Sequence, residues 1–599
     1  MSSVPAKSPI SASVSLAQPS LYHLTVTRFR GIKAFSWRPA TGVNVILGGG
    51  DVGKTTILDA IGLLLSPTNV ATVSDADYYG RDVNAGFEIE GIFGLPTACG
   101  ISEQTKPSWP WQWNGSDAVV PSTDAETQAQ GESVYRLRVR GTPDLEIVFE
   151  VVQPDGNADS LPVGLRRSIG LVRLSGDDRN DRDLRLVQGS ALDRLLSDKG
   201  LRSRMASELA KSDIKDQLTG DAKTNLQALD QAFKTVSLPN ELDIAITGSQ
   251  GLSIAALIGL TAKREGVALP LASWGAGTRR LAALAIAAQN QGEAPMTLVD
   301  EIERGLEPYR QQFLLAKMQA GKSQVFLTTH SPAAISAAST AALWYVDHTG
   351  KIGKLDSAKT GRHRKSDPEA FLSCITIVAE GSTEVGFVAL LLEKTLPYGL
   401  KQHGIHISDG GGNEPTLDLL EALAAAGLRF GGFADDEGVH PNRWQVVVTK
   451  LDKLLFRWPS GCTEKNIIDL VADDKLEALL TDPEDEKTGM RLRSLADRLG
   501  IEEKDFAIIR AKAGPGLKAL ILDAALGSIP AHMAAADKSE KKQFEKHSQN
   551  WFKSEAGGRE LAGKVFSLGI WPTLHPKLMP FCNAVRKAVD LAEIPNIDP

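Results

Sequence analysis

A glycine-rich loop near the N-terminus constrains the fold of this 599-residue chain more than any other segment. Residues 48–55 follow the pattern G-x-x-x-x-G-K-T. A short apolar run at residues 43–47 leads into the loop, and a helical pattern at residues 55–65 follows it. Strand, glycine loop and helix in this order let backbone N–H groups surround the phosphates of a nucleotide. The sequence therefore predicts a nucleotide-binding α/β domain.

The loop residues have separate expected roles. Lys54 would reach the β- and γ-phosphates, and Thr55 would hold Mg²⁺, while the backbone encloses the phosphates. The residues assigned to nucleotide binding in this loop are Gly48, Gly50, Asp51, Gly53, Lys54, Thr55 and Thr56.

Two later apolar runs end in polar residues that suit nucleotide hydrolysis. Residues 295–301 end in Asp300 and Glu301. We expect Asp300 to hold Mg²⁺, directly or through water, and Glu301 to polarise the attacking water. Residues 324–331 form a further strand pattern that ends near His330, which could contact the γ-phosphate.

A third motif, S-x-G-x-G, stands at the start of a helical pattern. It consists of Ser273, Gly275 and Gly277, and such a helix N-terminus can bind an anion. The motif resembles the signature motif of ABC-type ATPases. Residues 28–32 and 303–308 also resemble the start and the D-loop of RecF/SMC-type heads. The resemblance implies that ATP is held between two heads, and hence a homodimer through the ATPase domain.

The C-terminal half carries an ordered set of carboxylates. An apolar strand pattern at residues 371–378 leads to Glu380, and Glu384 opens the helix that follows. A second strand pattern at residues 428–434 leads into the acidic run 435–437. In open α/β sheets, functional sites gather at the C-terminal ends of strands. Convergent acids can bind Mg²⁺ ions, which promote attack on an anionic phosphodiester.

The spacing E-G-x-T-E followed by D-D-E-G resembles the Toprim fold, and specifically the OLD (overcoming lysogenization defect) family of nucleases, class 2. In that family an ABC-type ATPase precedes Toprim on one chain. The resemblance assigns metal binding to Glu380, Glu384 and Asp435, with either Asp436 or Glu437 as a further ligand. Weaker candidates are Glu464 for the second metal and Lys553 for transition-state charge. The metal candidates are Glu380, Glu384, Asp435, Asp436, Glu437, Glu464, Thr55 and Asp300, and the catalytic candidates are Glu380, Glu384, Asp435, Glu437, Lys553, Glu301 and His330.

The expected fold class is α/β, with an ABC-type P-loop ATPase head that carries a dimerisation insertion, followed by a Toprim α/β domain with a helical insertion. The predicted organisation is a disordered leader at 1–20, an ATPase domain at 21–355 with an insertion at about 160–255, a linker at 356–370, and a Toprim domain at 371–599 with an insertion at about 472–560.

Composition narrows the classes of function. The four cysteines lack metal-ligand spacing, and there is neither a signal sequence nor an apolar run long enough for a membrane span, which predicts a cytoplasmic protein. The net charge of −7 argues against a surface that is basic throughout but allows a local DNA-binding groove. No tyrosine follows Tyr398, which argues against a topoisomerase because that chemistry needs a tyrosine nucleophile.

The preferred hypothesis is an ATP-binding, metal-dependent DNA endonuclease in phage defence or DNA repair. Its expected cofactors are ATP and Mg²⁺ or Mn²⁺, with two ions in the Toprim site and one with ATP. Its expected partners are DNA, a second copy of the chain and, as the resemblance allows, a separately encoded helicase. The alternatives are a RecF/SMC-like repair ATPase without nuclease activity and a primase-like polymerase, although no template-binding zinc motif is present.

Overall fold

A computed structural model describes most of the chain in two compact units. The described residues are 18–68, 73–103, 108–121, 132–174, 183–187, 190–196, 198, 215, 218–246, 258–289, 296–483, 485–533 and 537–597. The first unit is drawn from Met1–Leu47 and Gly53–Trp344, and the second from Gly48–Val52 and Tyr345–Pro599. Residues 1–17 of the predicted leader lie outside the described residues, and the first strand already begins at Ser20.

The first unit contains most of the strands. They are β1 (Ser20–Phe29), β2 (Ile32–Trp37), β3 (Val43–Leu47), β4 (Phe87–Gly94), β5 (Trp111–Trp113), β6 (Ala118–Val119), β7 (Glu132–Gly141), β8 (Ile147–Val152), β9 (Ala158–Ser160), β10 (Leu171–Leu174), β11 (Asp243–Ile246), β12 (Ile258–Arg264), β13 (Val267–Pro270), β14 (Met296–Val299), β15 (Val325–Thr328) and β16 (Ala342–Val346), whose last two residues belong to the second unit. Its α-helices are α1 (Lys54–Leu64), α2 (Val163–Ile169), α3 (Ala191–Leu196), α4 (Gly220–Thr235), α5 (Ala276–Gln289), α6 (Pro308–Ala320) and α7 (Pro332–Ala337).

A parallel sheet forms the core of the first unit. Its strands run in the order β10, β14, β15, β3, with parallel pairing throughout. Every residue of β3, β14 and β15 is buried, as expected for a parallel sheet that is covered on both faces. The predicted strands around the glycine loop, before Asp300 and before His330 are thus confirmed. Their C-terminal ends lie at one edge of the sheet.

The predicted insertion at about 160–255 was assigned too widely. Strand β10 lies inside this range, yet it pairs in parallel with β14 as part of the central sheet. Its four residues, which include Arg173, were too short a pattern to identify as a strand from the sequence. The range also includes α2, α3, α4 and β11, and residues 199–214 and 247–257 lie outside the described residues.

A second, antiparallel sheet in the first unit contains the N-terminal strands. Its order is β2, β1, β4, β7, β5, β6, and β8 and β9 continue from β7. Strands β11, β12 and β13 form a separate antiparallel sheet. These sheets arise from alternating apolar and polar residues, as in β1, where the buried residues recur along one face.

The second unit contains a smaller parallel sheet and many helices. Its further strands are β17 (Ile352–Lys354), β18 (Ile375–Ala379), β19 (Ile405–Asp409), β20 (Gly431–Ala434) and β21 (Leu455–Arg457). Its helices are α8 (Ser357–Ser366), α9 (Ser382–Glu393), α10 (Asn413–Ala425), α11 (Pro441–Leu451), α12 (Thr463–Ile468), α13 (Leu476–Leu480), α14 (Asp485–Leu499), α15 (Phe506–Ala513), α16 (Leu517–Leu526), α17 (Lys538–Lys546), α18 (Glu555–Ser567) and α19 (Trp571–Ala588). None of the described helices has the length and apolar character needed to cross a bilayer.

The stretch predicted as a linker, residues 356–370, contains helix α8. Asp356 caps this helix, because its carboxylate accepts hydrogen bonds from the backbone N–H groups of Ala358 and Lys359. Thr360 and His363 are buried on one side of α8. The polar, basic composition had suggested a linker, but an N-cap and a few buried positions are sufficient to form a packed helix.

Two glycines bring helices α9 and α18 into close contact. A Cβ atom at Gly386 would lie 1.9 Å from the carbonyl oxygen of Glu555, and one at Gly558 would lie 2.0 Å from that of Thr383. Only hydrogen fits at both positions. The contact fixes the first turn of α9, which carries Glu384, against the start of α18.

We predict that Gly558→Ala destabilises the protein by about 1–3 kcal/mol, because the added methyl group overlaps a backbone oxygen that cannot move alone. Gly563→Ala is the matched control on the same helix, since its Cβ would meet only Leu390 Cδ2 at 3.8 Å. It should be neutral or stabilise by up to about 1 kcal/mol. Urea unfolding of both variants measures the difference, and equal midpoints would contradict the proposed close contact.

Candidate functional site

The glycine loop has a backbone suited to binding phosphate. Gly48 and Gly53 have φ values of 141° and 91°, in the region that favours glycine. Gly53 precedes α1, and Lys54, its first residue, is only 6% exposed. These features agree with the expected position of a phosphate-binding lysine at a helix N-terminus.

The structure brings together the two residues expected to hold the nucleotide's Mg²⁺. The Thr55 hydroxyl donates to Asp300 Oδ1 over 3.2 Å. Thr328, which the sequence analysis did not single out, donates to the same oxygen over 2.7 Å and accepts the backbone N–H of Glu301 over 2.8 Å. Thr328 therefore orients both residues of the Asp-Glu pair.

Glu301 and His330 follow the adjacent strands β14 and β15. Glu301 has a left-handed backbone with φ of 50°. The backbone N–H of His330 and the hydroxyl of Thr329 both donate to the Glu303 carboxylate over 2.7 Å. Burial and the nearby Lys54 ammonium lower the pKa of His330, so a neutral imidazole is favoured at this position.

The signature-like segment lies at the start of α5. Ser273 and Gly275 are exposed there, and the Ser273 hydroxyl donates to the carbonyl of Pro270 over 2.7 Å. A Cβ at Gly277 would lie 2.0 Å from the carbonyl oxygen of Gly305, so this position requires glycine. The exposed Ser273 and Gly275 are therefore accessible to a partner molecule.

Arg280 connects this segment to the acidic pair, and the sequence analysis missed it. Its buried guanidinium donates to the backbone carbonyls of Glu301 and Arg304 over 2.9 and 3.0 Å, and also to that of Asp300. Burial lowers the pKa of Arg280. An arginine on the α5 pattern had no feature in the sequence to mark it as a contact of a distant loop.

The second site is built on the parallel sheet of the second unit, in the order β19, β18, β20, β21. Glu380 follows β18, Asp435 follows β20, and Glu384 and Glu464 lie in the first turns of α9 and α12. All four are at least nine-tenths buried. The structure therefore places four carboxylates at the C-terminal edge of one sheet.

Direct hydrogen bonds hold the cluster together. Glu380 Oε2 accepts the backbone N–H of Asp435 over 2.9 Å and the side-chain amide of Asn413 over 3.2 Å. Asp435 Oδ1 accepts both the backbone N–H and the hydroxyl of Thr463, each over 3.0 Å. Asn413 and Thr463 are positioning residues that sequence analysis did not identify.

Burial and mutual repulsion make the cluster resist ionisation. Burial, with the Glu464 carboxylate, raises the pKa of Glu384 to about 7. Burial, with Glu384 and Glu380, raises the pKa of Asp435 to about 9. Burial also raises the pKa of Glu380. A divalent cation would relieve this repulsion, and carboxylate oxygens are ligands that Mg²⁺ and Mn²⁺ accept, so the residues present fit such an ion.

The structure distinguishes the two candidates for the further ligand. Asp436 is engaged elsewhere, because Oδ1 accepts Arg457 over 2.7 Å and the backbone N–H of Gly438 over 2.9 Å. Glu437 is exposed, and its charge contributes to the raised pKa of Glu380. Glu437 is therefore the better placed of the two.

Lys553 lies close to the cluster. Its Nζ is 3.7 Å from Glu464 Oε1. Burial disfavours its charged form, but the carboxylates of Glu464, Glu384 and Asp435 outweigh this effect and raise the pKa of Lys553. A charged ammonium is thus present at the edge of the site.

Comparison with known proteins gives a family match for part of the chain. The AAA_21 family, described as "AAA domain, putative AbiEii toxin, Type IV TA system", matches residues 43–336. This match covers less than half of the chain. Together with the sheet and the Thr55–Asp300 pair, it supports a P-loop ATPase domain in the N-terminal part of the chain. No curated protein matches the chain.

Several solved structures resemble the chain at low identity. One is an Smc head bound to the C-winged helix domain of ScpA, with 16% identity, 57% of this chain and 99% of that chain covered, and a TM-score of 0.38. Another is the recombination mediator RecF with ATPrS, with 14% identity, coverages of 57% and 100%, and a TM-score of 0.36. A third is an Smc head with an extended coiled coil bound to the C-terminal domain of ScpA, derived from Pyrococcus furiosus, with 14% identity, coverages of 58% and 99%, and a TM-score of 0.36.

We predict that Arg280→Lys lowers ATP hydrolysis by roughly 10-fold or more, because the single nitrogen of an ammonium cannot span the carbonyls that two guanidinium nitrogens reach around Asp300 and Glu301. Nucleotide affinity should change much less, since Lys54 and the loop are unaltered. Steady-state ATPase assays with a fluorescent nucleotide titration separate the two effects. Arg310→Lys, on α6, is the control, and a wild-type rate for Arg280→Lys would contradict this role.

We further predict that Mn²⁺ binding to the carboxylate cluster tightens as pH rises from 6 to 8, by at least roughly 10-fold. Both raised pKa values mean that protons occupy Glu384 and Asp435 at pH 6 and compete with the cation. In the metal-free protein the raised pKa values of Glu384 and Asp435 favour the folded state at low pH. This contribution to the free energy of unfolding is lost as pH rises through the pKa values of the folded state. Calorimetric titration of Lys54→Ala protein without nucleotide measures the affinity, and a pH-independent value would contradict the shifts.

Proposed function

We propose that this protein is an ATP-binding, divalent-metal-dependent DNA endonuclease whose second unit is a Toprim-type nuclease of the OLD family. The observation that carries the proposal is the convergence of Glu380, Glu384, Asp435 and Glu464 at the C-terminal edge of a parallel sheet. Four buried carboxylates without an equal number of cations must be neutralised, and a metal ion can take the place of the protons that the raised pKa values of Glu384 and Asp435 favour.

The carboxylates and the lysine have different parts in the proposed reaction. Glu380, Glu384, Asp435 and Glu464 would hold one or two ions, with Glu437 available from the exposed side. When bound, such ions lower the pKa of water and neutralise charge on a phosphodiester. Lys553 would stabilise the negative charge that develops on the phosphate, since its ammonium already lies 3.7 Å from Glu464.

The first unit would use ATP in the manner of ABC-type heads. Thr55 and Asp300 would hold Mg²⁺, Glu301 would orient water, and the neutral His330 would contact the γ-phosphate. The exposed Ser273 and Gly275 support a dimer in which this segment meets the nucleotide of a second copy. DNA is the proposed substrate, and defence against phage or repair of DNA is the proposed setting.

Plasmid cleavage tests the proposal. With Mn²⁺ or Mg²⁺, wild-type protein should nick or cut supercoiled plasmid, and Glu380→Gln and Asp435→Asn should each lower the rate by at least roughly 100-fold, because each removes a metal-binding charge. Glu369→Gln, at an exposed acid outside the cluster, should leave the rate unchanged. Cleavage that persists at the wild-type rate in both cluster variants would show that another site, or a contaminant, cuts the DNA.

Lys54→Ala distinguishes the two activities. It should abolish ATP hydrolysis, while the carboxylate cluster still binds Mn²⁺ because Lys54 lies in the other unit. A protein that hydrolyses ATP and binds DNA but neither cleaves DNA nor binds metal at the cluster would instead be a RecF/SMC-like ATPase.

A further inference from the structure

Cys462 is held in a fixed position beside the carboxylate cluster. Gly461 and Asp436 exchange two backbone hydrogen bonds, over 2.8 and 3.1 Å. On the other side of Cys462, the backbone N–H and hydroxyl of Thr463 bind Asp435 Oδ1. The backbone on both sides of the thiol is therefore tied to the loop that carries Asp435.

The sulfur atom lies within reach of the same ion as two carboxylates. One ligand atom each from Cys462, Asp435 and Glu464 lie within 4.8 Å of one another. Ligand atoms on one divalent ion sit about 2.0–2.6 Å from it, so they can be at most roughly 5 Å apart. The three atoms can therefore bind a single cation after small side-chain rotations.

This ligand set differs in softness from the rest of the cluster. Glu380 and Glu384 offer only oxygen, which suits Mg²⁺ and Mn²⁺, whereas thiolate sulfur favours Zn²⁺ and other thiophilic ions. Cys462 is half-buried, and its sulfur lies near carboxylate oxygens of Asp435 and Glu464.

We propose that Cys462, Asp435 and Glu464 form a mixed sulfur–oxygen metal site that binds Zn²⁺ in preference to Mg²⁺. On binding, the S–H proton passes to solvent, a sulfur–metal bond forms, and the ion loses a water molecule. The site would make the second unit sensitive to thiophilic cations at concentrations far below those of Mg²⁺. The inference rests on the metal-binding role proposed for the cluster, but it does not depend on DNA cleavage.

Cadmium provides a direct spectroscopic test, because a thiolate–Cd²⁺ bond has an ultraviolet charge-transfer band and Cd²⁺ bound only by oxygen does not. Full-length protein without a histidine tag should show the band at one equivalent of Cd²⁺. Cys462→Ser should lose it, and Cys374→Ser, at another partly buried cysteine, should retain it. Zn²⁺ affinity, measured against a chromophoric chelator, should fall by roughly 10-fold or more in Cys462→Ser.

Absence of the band in wild-type protein, or its persistence in Cys462→Ser, would overturn the inference. Far-ultraviolet circular dichroism and ATP hydrolysis verify that each variant is folded, and Cys462→Ala provides a second substitution should the serine variant fail. A Cys462-dependent band in a protein that does not cut DNA would reject the proposed nuclease and keep this site. DNA cleavage by a protein that shows no band would reject this metal site and keep the proposed nuclease.

Discussion

The close contact between α9 and α18 is the constraint on which the second unit's site depends. Gly386 and Gly558 allow the two helix backbones to touch, and no side chain fits between them. Because of this contact, Lys553, which lies two residues before the first residue of α18, is brought beside carboxylates that come more than eighty residues earlier in the chain. The Thr383 hydroxyl strengthens the arrangement by donating to the Phe552 carbonyl over 2.9 Å. The ammonium of the site is thus positioned by backbone packing and not by the parallel sheet.

In the candidate nucleotide site, by contrast, several hydrogen bonds converge on one residue, Asp300. Asp300 Oδ1 accepts both Thr55 and Thr328, and the backbone carbonyl of Asp300 is bound by Arg280. These bonds connect Thr55, two strand ends and the signature-like helix, all of which lie in the first unit. A change in the position of α5 would therefore shift the backbone at Asp300 and Glu301, the residues expected to hold Mg²⁺ and water.

Sequence patterns predicted the parts of these sites that depend on local order. The strand–loop–helix at Lys54 and the strands that end at Asp300 and Glu380 can be read from apolar runs followed by glycine or acid. The same patterns could not reveal Arg280, Asn413 or Thr463, because their roles arise from hydrogen bonds to loops that are distant in sequence or lie across the sheet. The basic composition of residues 356–370 predicted a linker, but this stretch contains the packed helix α8. The predicted insertion at about 160–255 included β10, although these four residues belong to the central sheet. Asp436 and Glu437 were equivalent in sequence, whereas in the structure Asp436 pairs with Arg457 and Glu437 is exposed.

The central claim is that the buried carboxylates form a binding site for catalytic divalent metal. Anomalous diffraction from crystals soaked in Mn²⁺ tests it most directly, because the signal locates the ion without reference to any activity. We expect a peak between Glu380, Glu384, Asp435 and Glu464, and its loss in Asp435→Asn. A well-ordered cluster that shows no anomalous peak in Mn²⁺-soaked wild-type crystals would contradict the claim and leave the ATPase as the only activity assigned to the chain.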